Sequence, residues 1–407
     1  MTLRPGARTD SEPLLSSDLS KHWSLDPKIT FLNHGSYGAC PRPVLDAQQE
    51  LRERIERQPV EFFSRALPSL LDAARERLAT FLGTRPESLV PVPNATTGVN
   101  AVLRSLSFGP GDELLTTDHA YNACRNAVDY VAERSGADVK VVAVPFPADS
   151  SESVADLIVG GATPRTRLAL IDHVTSSTGL VLPLGTIVRR LQAKGVDTLV
   201  DGAHAPGMLP LDLDQLGAAY YTGNCHKWLC APKGAAFLFV REDRWSQIRP
   251  LTISHGTNRR RDGRSRLHDE FDWVGTDDPT AFLCVPAAIE FLGSLVDGGW
   301  PGLRRRNHAL ALRAREILAE ELGVASPCPE EMVGSLAALP LPDGRTDVEI
   351  DNDPLHQTLI HEHRIEVPVL HWPAPPRRLI RVSAQVYNRE EQYRLLATVL
   401  RTLLARE

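Results

Sequence analysis

The sequence lacks the features that would place it in a membrane, in an oxidising compartment or on nucleic acid. None of its 407 residues lies in a run approaching the roughly 20 apolar residues of a membrane span, and residues 1–20 lack the apolar core of a secretion signal. The 6 cysteines form no CxxC pairs and have no histidine at zinc spacing, which disfavours a disulfide framework and a structural metal. A net charge of −6 gives no electrostatic reason to expect nucleic acid or an acidic membrane as a partner. We therefore expect a cytoplasmic protein with reduced thiols, no metal, no membrane and no nucleic-acid partner.

Apolar residues are plentiful enough for a large core. They make up 42% of the chain, against 24% charged residues, as in ordinary globular proteins. Because single cores usually stop growing at about 250 to 300 residues, a chain of this length favours two unequal lobes. Two basic runs, at 259–266 and 304–306, are expected to be solvated surface.

The order of apolar runs predicts an α/β core followed by a smaller lobe. Helical patterns at 44–57 and 69–82 come first, the second ending at Gly83. Short β-type runs then alternate with helical stretches, as in a mostly parallel sheet covered by helices; they lie at 89–92, 113–116, 139–144, 167–171, 198–200 and 235–240. A long helix at 301–322, strands near 333–339 and 379–382, and a helix at 390–405 predict an α+β lobe. We expect a flexible tail at 1–20, a large domain at 21–290 to which the N-terminal segment adds active-site and small-lobe residues, and a small domain at 291–407.

Two segments place polar groups where ligands bind in such sheets. Residues 93–98, PNATTG, end a strand-like run and open a helix, so that free backbone N–H groups and hydroxyls could receive a phosphate; an ordinary helix cap is the alternative. Asp201 ends a buried strand in LVDGAHA, at the sheet edge where a carboxylate could hold a pyridine nitrogen protonated. A capping aspartate, with His204 as a core histidine, is the alternative.

Two further segments supply positive charge in apolar surroundings. Lys227 lies between Cys, His, Trp and Leu, and desolvation there would lower the pKa of its amine, as a Schiff-base nucleophile requires. A surface lysine is the alternative. Arg381 lies inside an apolar strand, where a buried guanidinium needs a carboxylate from a substrate or from an internal acidic residue.

Five longer motifs carry a resemblance to a known family. They are HVTSSTGLVLP at 173–183, DGAHAPG at 201–207, GNCHKWLCAPKGAAFLFV at 223–240, VGTDDPTAFL at 274–283 and RVSAQVYN at 381–388. Together they resemble the class V aminotransferase family of fold-type I enzymes that use pyridoxal 5′-phosphate (PLP), and most of all its isopenicillin N epimerase-like branch. The resemblance runs from FLNHGSYGACPRPV at 31–44 to the C-terminal helix. It implies a mostly parallel sheet of the seven-stranded type in a large domain, with a smaller α+β domain.

Site residues follow from the resemblance position by position. It implies that Lys227 forms the Schiff base with PLP and moves the substrate Cα proton, and that Asp201 pairs with the pyridine nitrogen. His204 falls where related enzymes contact the phenolic oxygen, a position that is usually Gln in the desulfurase branch. Tyr121 would stack on the ring, with His119 as the alternative. The other implied cofactor-binding residues are Ala95, Thr96, Thr97 and His226 at the phosphate, Ser176 in a nearby loop, and Thr276 reaching the phosphate from the neighbouring subunit.

The resemblance also implies how substrate is held. Arg381 would bind the α-carboxylate of a small amino-acid substrate. The remaining substrate-side residues are expected in the Gly-rich turn, at Asn33, His34, Ser36 and Tyr37. Because Thr276 would act across a subunit boundary, we expect a homodimer with its active site at the interface.

Several reactions are compatible with this site. Epimerisation, the primary expectation, needs a second proton carrier opposite Lys227, for which Tyr121, His371 and His255 are candidates. Carbon–sulfur bond cleavage by β-elimination needs only Lys227 and a leaving group at Cβ, and transamination is neither required nor excluded. A desulfurase is disfavoured because residues 361–372 contain no cysteine. A non-catalytic PLP-fold protein is disfavoured because both Lys227 and Asp201 are present.

Overall fold

The computed structural model describes residues 18–259, 261–346 and 353–407. Of the tail predicted at 1–20, residues 1–17 lie outside this description, and Asp18–His22 form a 3-10 turn. The strands of the described residues are β1 (Thr30–Phe31), β2 (Leu89–Val92), β3 (Glu113–Thr117), β4 (Asp138–Val142), β5 (Thr166–Asp172), β6 (Asp197–Asp201), β7 (Tyr220–Asn224), β8 (Ala236–Val240), β9 (Leu336–Leu341), β10 (Ile365–Glu366), β11 (Val369–His371) and β12 (Arg378–Ser383).

The helices cover most of the rest of the described chain. They are α1 (His34–Tyr37), α2 (Arg42–Arg57), α3 (Pro59–Glu61), α4 (Leu67–Leu82), α5 (Ala95–Ser105), α6 (Asn122–Ser135), α7 (Ser151–Gly161), α8 (Leu184–Gln192), α9 (Leu213–Leu216), α10 (Arg266–Phe271), α11 (Thr280–Leu283), α12 (Val285–Ser294), α13 (Gly299–Leu322), α14 (Pro354–His361) and α15 (Glu390–Leu404). A π-helical turn, Phe62–Ala66, joins α3 to α4. Further 3-10 turns lie at Pro86–Ser88, Glu242–Arg244, His255–Thr257 and Glu330–Met332.

A seven-stranded sheet in the order β2-β8-β7-β6-β5-β3-β4 forms the centre of the protein. Strand β8 runs antiparallel to both its neighbours, and the other pairs are parallel. This confirms the α/β class and the mostly parallel seven-stranded sheet. Strands of a parallel sheet that is covered on both faces consist almost entirely of apolar residues. This explains why the sequence pattern located most of them.

Helices cover both faces of this sheet. Because successive strand residues point to opposite faces, Leu114 and Leu199 join the apolar cluster of α5 and α6, whereas Leu115 and Val200 join that of α7 and α8. Gly83 ends α4 in the left-handed region at φ 63°, as the sequence predicts.

A second, antiparallel sheet in the order β11-β12-β9 packs against α13 and α15 through a separate apolar cluster. Strand β1, from the N-terminal part of the chain, pairs in parallel with β10, so that Thr30 lies beside Ile365. Early residues thus join the C-terminal elements. We keep the division into domains 21–290 and 291–407 as a proposal.

Within the described residues, no single helix is both long and apolar enough to cross a bilayer. The helical segments Thr280–Ser294 and Gly299–Leu322, which meet at a bend of 71°, are together long and apolar enough, by length and composition alone.

Candidate active site

Three neighbouring strands end in polar residues at one edge of the large sheet. Asp172 ends β5, Asp201 ends β6 and Asn224 ends β7. Helix α5 begins beside them, because the Oδ1 of Asn224 accepts a hydrogen bond of 2.8 Å from the backbone N–H of Ala95. These groups line a cavity of about 410 Å³ at the carboxyl edge, where open α/β sheets bind ligands.

Lys227 follows β7 and lines this cavity. Its Nζ lies 3.0 Å from the Nε2 of His204. Burial, with a further contribution from Arg381, lowers the pKa of the Lys227 amine to about 7. A large part of the amine is therefore uncharged and nucleophilic at neutral pH.

His204 is buried at the same wall of the cavity. Its Nδ1 accepts a hydrogen bond of 3.4 Å from the indole N–H of Trp228. Burial, followed by the charge of Lys227, holds the pKa of His204 well below its ordinary value, so the imidazole is neutral.

The two carboxylates of the cavity wall are paired in register on adjacent strands. Asp201 accepts hydrogen bonds of 3.0 Å from the Cys124 thiol and of 3.0 Å from the backbone N–H of Ala203. Burial and the neighbouring Asp201 raise the pKa of Asp172 well above its ordinary value. The raised pKa favours the protonated form of Asp172.

Arg381 lies on β12, buried beside the cavity. Its Nη2 donates to the hydroxyl of Ser36 at 3.1 Å, and its Nη1 donates to the carbonyl oxygen of Ser176. Burial lowers the pKa of this guanidinium to about 10. Within the described part of the chain no carboxylate lies within 4 Å of it, and its Nε has no hydrogen-bond partner. The site thus holds a cation whose counter-ion must come from elsewhere.

The start of α5 forms another wall. Asn94 caps the helix, its Oδ1 accepting from the backbone N–H of Thr97 at 2.8 Å. Ala95 and Thr96 line the cavity, whereas Thr97 lines a neighbouring one. His226 also lines the site, and burial lowers its pKa to about 4.

Of the two candidates for stacking, the structure brings Tyr121 to the cavity. Tyr121 precedes α6 and is 46% exposed. His119 is buried, with Nδ1 2.8 Å from the Thr178 hydroxyl and its ring against Trp372. Its Nε2 lies 2.9 Å from the Val144 carbonyl oxygen, so both ring nitrogens have partners outside the cavity lining.

The other two candidate proton carriers, His371 and His255, are not among the residues that line the cavity. His371 is buried, with Nε2 3.1 Å from the Asp353 carboxylate, and His255 begins a 3-10 turn. Tyr121 is the one of the three that lines the cavity.

Two of the four predicted residues in the Gly-rich turn line the cavity, and the other two hold neighbouring segments in place. Ser36 and Tyr37 line the cavity, Tyr37 being 78% exposed. Asn33 donates to Glu366 at 2.8 Å and accepts from Ser36. His34 is buried, with Nδ1 2.7 Å from the Tyr387 hydroxyl and Nε2 3.0 Å from the Lys227 carbonyl oxygen. These two residues therefore support the segments that carry Ser36 and Lys227.

Thr276 lines a different cavity, of about 570 Å³, together with Arg52 and Asp278. Within a single chain it is not brought to the lysine. Its expected role across a subunit boundary stays a prediction.

Four polar lining residues were not among the predicted site residues: Asn94, Asp172, Asn224 and Lys233. The carboxyl-edge rule applied to every strand would have indicated Asp172 and Asn224, because each ends its strand. Lys233 is exposed and donates to the Gly38 carbonyl oxygen at 2.9 Å. No pattern in the sequence distinguishes it from a surface lysine.

Comparison with known proteins gives consistent matches. The family described as aminotransferase class-V matches residues 32–345. The chain is 39% identical to an isopenicillin N epimerase of Amycolatopsis lactamdurans, over 93% of this chain and 96% of that protein. It is 33% identical to a probable chloroplastic L-cysteine desulfhydrase of Arabidopsis thaliana, over 96% of this chain and 85% of that protein. A solved structure of a C-DES variant, with glycine covalently linked to its PLP cofactor, superimposes with a TM-score of 0.76 at 24% identity, covering 92% of this chain and 96% of the other. At that identity the likeness concerns the fold.

Proposed function

The chain belongs to the aminotransferase class-V family of PLP-dependent enzymes, and on that premise we propose that it epimerises an amino acid at Cα. The observation that carries the proposal is that Tyr121, a second group able to hold a proton, lines the same cavity as Lys227. Inversion at Cα requires one group to remove the proton and another to return it from the other face.

The groups around the cavity fit PLP. Asp172 and Asp201 are buried carboxylates, and among the described residues neither has a cation within 4 Å, as suits a ligand that brings a protonated ring nitrogen. The amine of Lys227 is buried with a lowered pKa, and the capped start of α5 faces the cavity with Ala95 and Thr96. When bound, PLP supplies the electron sink that makes a bond at the substrate Cα easier to break.

We assign the chain's own residues to the remaining tasks. Lys227 holds the cofactor and then accepts the Cα proton, which its lowered pKa permits at neutral pH. Arg381, already fixed by Ser36 and Ser176, binds the substrate α-carboxylate. Tyr121 returns a proton from its own wall of the cavity. Asp201, oriented by hydrogen bonds from Cys124 and the backbone of Ala203, pairs with the ring nitrogen.

The remaining cofactor contacts are proposed in the same way. Ala95, Thr96 and Thr97 with His226 contact the phosphate, His204 the phenolic oxygen, and Ser176 the adjoining loop. The phosphate contact of Thr276 requires a second subunit, so we also propose a homodimer with its site at the interface. Cytoplasmic location is part of the same proposal.

Incubation with separate L- and D-amino acids in deuterated water tests the reaction. Epimerisation predicts deuterium at Cα in both enantiomers, whichever one is supplied. The Tyr121→Phe variant should lose inversion in both directions but keep exchange in the one enantiomer whose Cα proton faces Lys227, because Lys227 still works on its own face. Tyr130→Phe, which removes the hydroxyl of an exposed tyrosine of α6 outside the cavity lining, is the matched control and should invert normally. Undiminished inversion in Tyr121→Phe would refute the role given to Tyr121.

Carbon–sulfur bond cleavage by β-elimination is the second candidate. It is favoured by the similarity to the probable L-cysteine desulfhydrase and needs only Lys227 as proton acceptor, so the same cavity supports it. The same incubation, with cysteine among the amino acids, separates the two: elimination releases pyruvate, ammonia and sulfide, and epimerisation releases none of them. Transamination would instead depend on an added oxo acid.

A further inference from the structure

His204 lies between two consecutive side chains of the loop after β7. The indole Nε1 of Trp228 is 3.4 Å from His204 Nδ1, and the amine Nζ of Lys227 is 3.0 Å from His204 Nε2. His204 and Trp228 are buried, so bulk water does not compete for the contact between them, whereas Lys227 is half-buried and lines the cavity. The proton on the imidazole therefore has to be placed by the neighbouring side chains.

Trp228 determines where that proton lies. An indole N–H is a donor and has no acceptor atom, so the Nδ1 it faces must carry the lone pair. The imidazole is neutral, because burial and the nearby cationic or titratable groups disfavour a second proton; these groups are Lys227, Arg381, His34 and His226. A neutral imidazole has one N–H, which must then be on Nε2.

The Nε2–H of His204 in turn faces the amine of Lys227. Two donors cannot form a hydrogen bond with each other, so this contact requires a lone pair on Nζ. A neutral amine supplies it, and that form is substantially populated at neutral pH because burial and Arg381 disfavour the ammonium.

We infer that Trp228 is a positioning residue whose indole N–H fixes His204 in the Nε2–H tautomer, so that His204 always offers a hydrogen-bond donor to the cavity beside Lys227. The inference rests on the proposed function for its purpose. In the cofactor-free chain the Nε2–H of His204 faces the Lys227 amine. With the cofactor in place it would be directed at the phenolic oxygen attached to the pyridine ring. The opposite tautomer would offer a lone pair to that oxygen and repel it.

Packing alone does not require an indole at position 228. The ring is buried among Val174, Met208 and Leu336, with His34 at 4.9 Å between ring centroids. A phenyl ring would retain most of these apolar contacts but would lack the N–H. Packing and tautomer control can therefore be separated by experiment.

The first test reads the tautomer directly in the unaltered full-length chain, with and without PLP. Uniform 15N labelling of histidine and long-range 15N–1H correlation distinguish protonated from unprotonated ring nitrogens, and His204→Gln assigns the signal. We expect a protonated Nε2 and an unprotonated Nδ1. The reverse pattern would overturn the inference. This measurement does not depend on any Trp228 variant folding.

The second test is a double-mutant cycle on PLP dissociation. Trp228→Phe in the parent chain should weaken PLP binding by about tenfold, the value of roughly one hydrogen bond, and should leave His204 a mixture of tautomers. In a His204→Gln background the amide N–H donates without any choice of tautomer, so Trp228→Phe should change PLP binding by no more than about twofold. Equal losses in both backgrounds would mean that Trp228 acts by packing alone and would overturn the inference. Failure of the proposed function is a separate result, because a chain that does not bind PLP would still report its tautomer in the first test.

Discussion

Asp172 and Asp201 are side by side at the carboxyl ends of β5 and β6, paired in register and buried at the wall of one cavity. Ionising both of two adjacent carboxyl groups in a buried site is unfavourable, because the like charges repel each other and neither is well solvated. Burial and the neighbouring Asp201 raise the pKa of Asp172 well above its ordinary value. Asp172 is then the member that keeps a proton.

Replacing Asp172 by asparagine should flatten the pH dependence of stability. Burial and Asp201 raise the pKa of Asp172 in the folded chain above its unfolded value of about 4. Its contribution to stability is therefore complete below pH 4 and is lost as pH rises through the folded pKa, with a slope of up to about 1.4 kcal/mol per pH unit. In the cofactor-free Asp172→Asn chain this loss should disappear, as measured by urea unfolding from pH 4 upward. An unchanged slope would contradict the assignment of the proton to Asp172.

Substitutions of Asp172 and of Asp201 should have different effects on PLP affinity. Asp172→Asn replaces a neutral acid by a neutral amide and should change PLP affinity little. Asp201→Asn removes the carboxylate proposed to pair with the ring nitrogen and should weaken binding by about 100-fold, the value of a charged hydrogen bond lost in a buried site. Equilibrium titration with PLP measures both. Equal losses in the two variants would contradict the separate role proposed for Asp201.

Two lysines line the cavity, and only one should form the Schiff base. Lys227→Ala should lack the absorbance band at about 410 to 430 nm that a PLP Schiff base gives, and should not be labelled by borohydride reduction. Lys233→Ala is the matched control: Lys233 lines the same cavity but is exposed and bound to the Gly38 carbonyl oxygen, so its variant should keep the band. Loss of the band in Lys233→Ala alone would transfer the role to Lys233.

The sequence predicted the fold better than it predicted which side chains meet. The apolar runs located six strands of the large sheet, but β7 was not identified as a strand, because a five-residue run containing Thr222 and Asn224 resembles a loop motif until β6 and β8 pair with it. Asp172 could have been identified as the residue at the end of a predicted strand, but not as the neighbour of Asp201. Its proximity to Asp201 follows from the strand order, which no local pattern contains.

Charge patterning was also insufficient for Arg264. The basic run containing it was expected to be solvated, yet the Arg264 side chain is 15% exposed and pairs with the buried Asp272 and with Asp72. Asp72 is remote in the sequence, so only the folded chain reveals this pairing. For the described part of that run, the prediction of solvated surface is wrong at Arg264.

Arg381 should control binding of substrate without controlling binding of PLP. Arg381→Lys keeps a charge but loses the planar fork that Ser36 and Ser176 hold in place, so we expect KM for an amino-acid substrate to rise by about 10- to 100-fold. The absorbance band of bound PLP should be unchanged. Steady-state kinetics and a spectrum of the same preparation measure the two effects. A loss of PLP with unchanged KM would place Arg381 at the cofactor instead.

The lowered pKa of Lys227 predicts how its reactivity depends on pH. In the cofactor-free chain the amine should become reactive as it loses its proton, so labelling by fluorodinitrobenzene, followed by peptide mass spectrometry at Lys227, should reach half its maximal rate near pH 7. An ordinary lysine reaches that point near its pKa of about 10.4.

Arg381→Gln removes a positive charge that favours the neutral amine, so the midpoint should move to higher pH, by a fraction of a unit, since burial makes the larger contribution. Arg304→Gln is the control, because Arg304 packs over Phe81 and Trp300 and should leave the midpoint in place. A midpoint near 10 in the parent chain would mean that burial does not keep this amine neutral, and Lys227 would then need another group to deprotonate it before it could act.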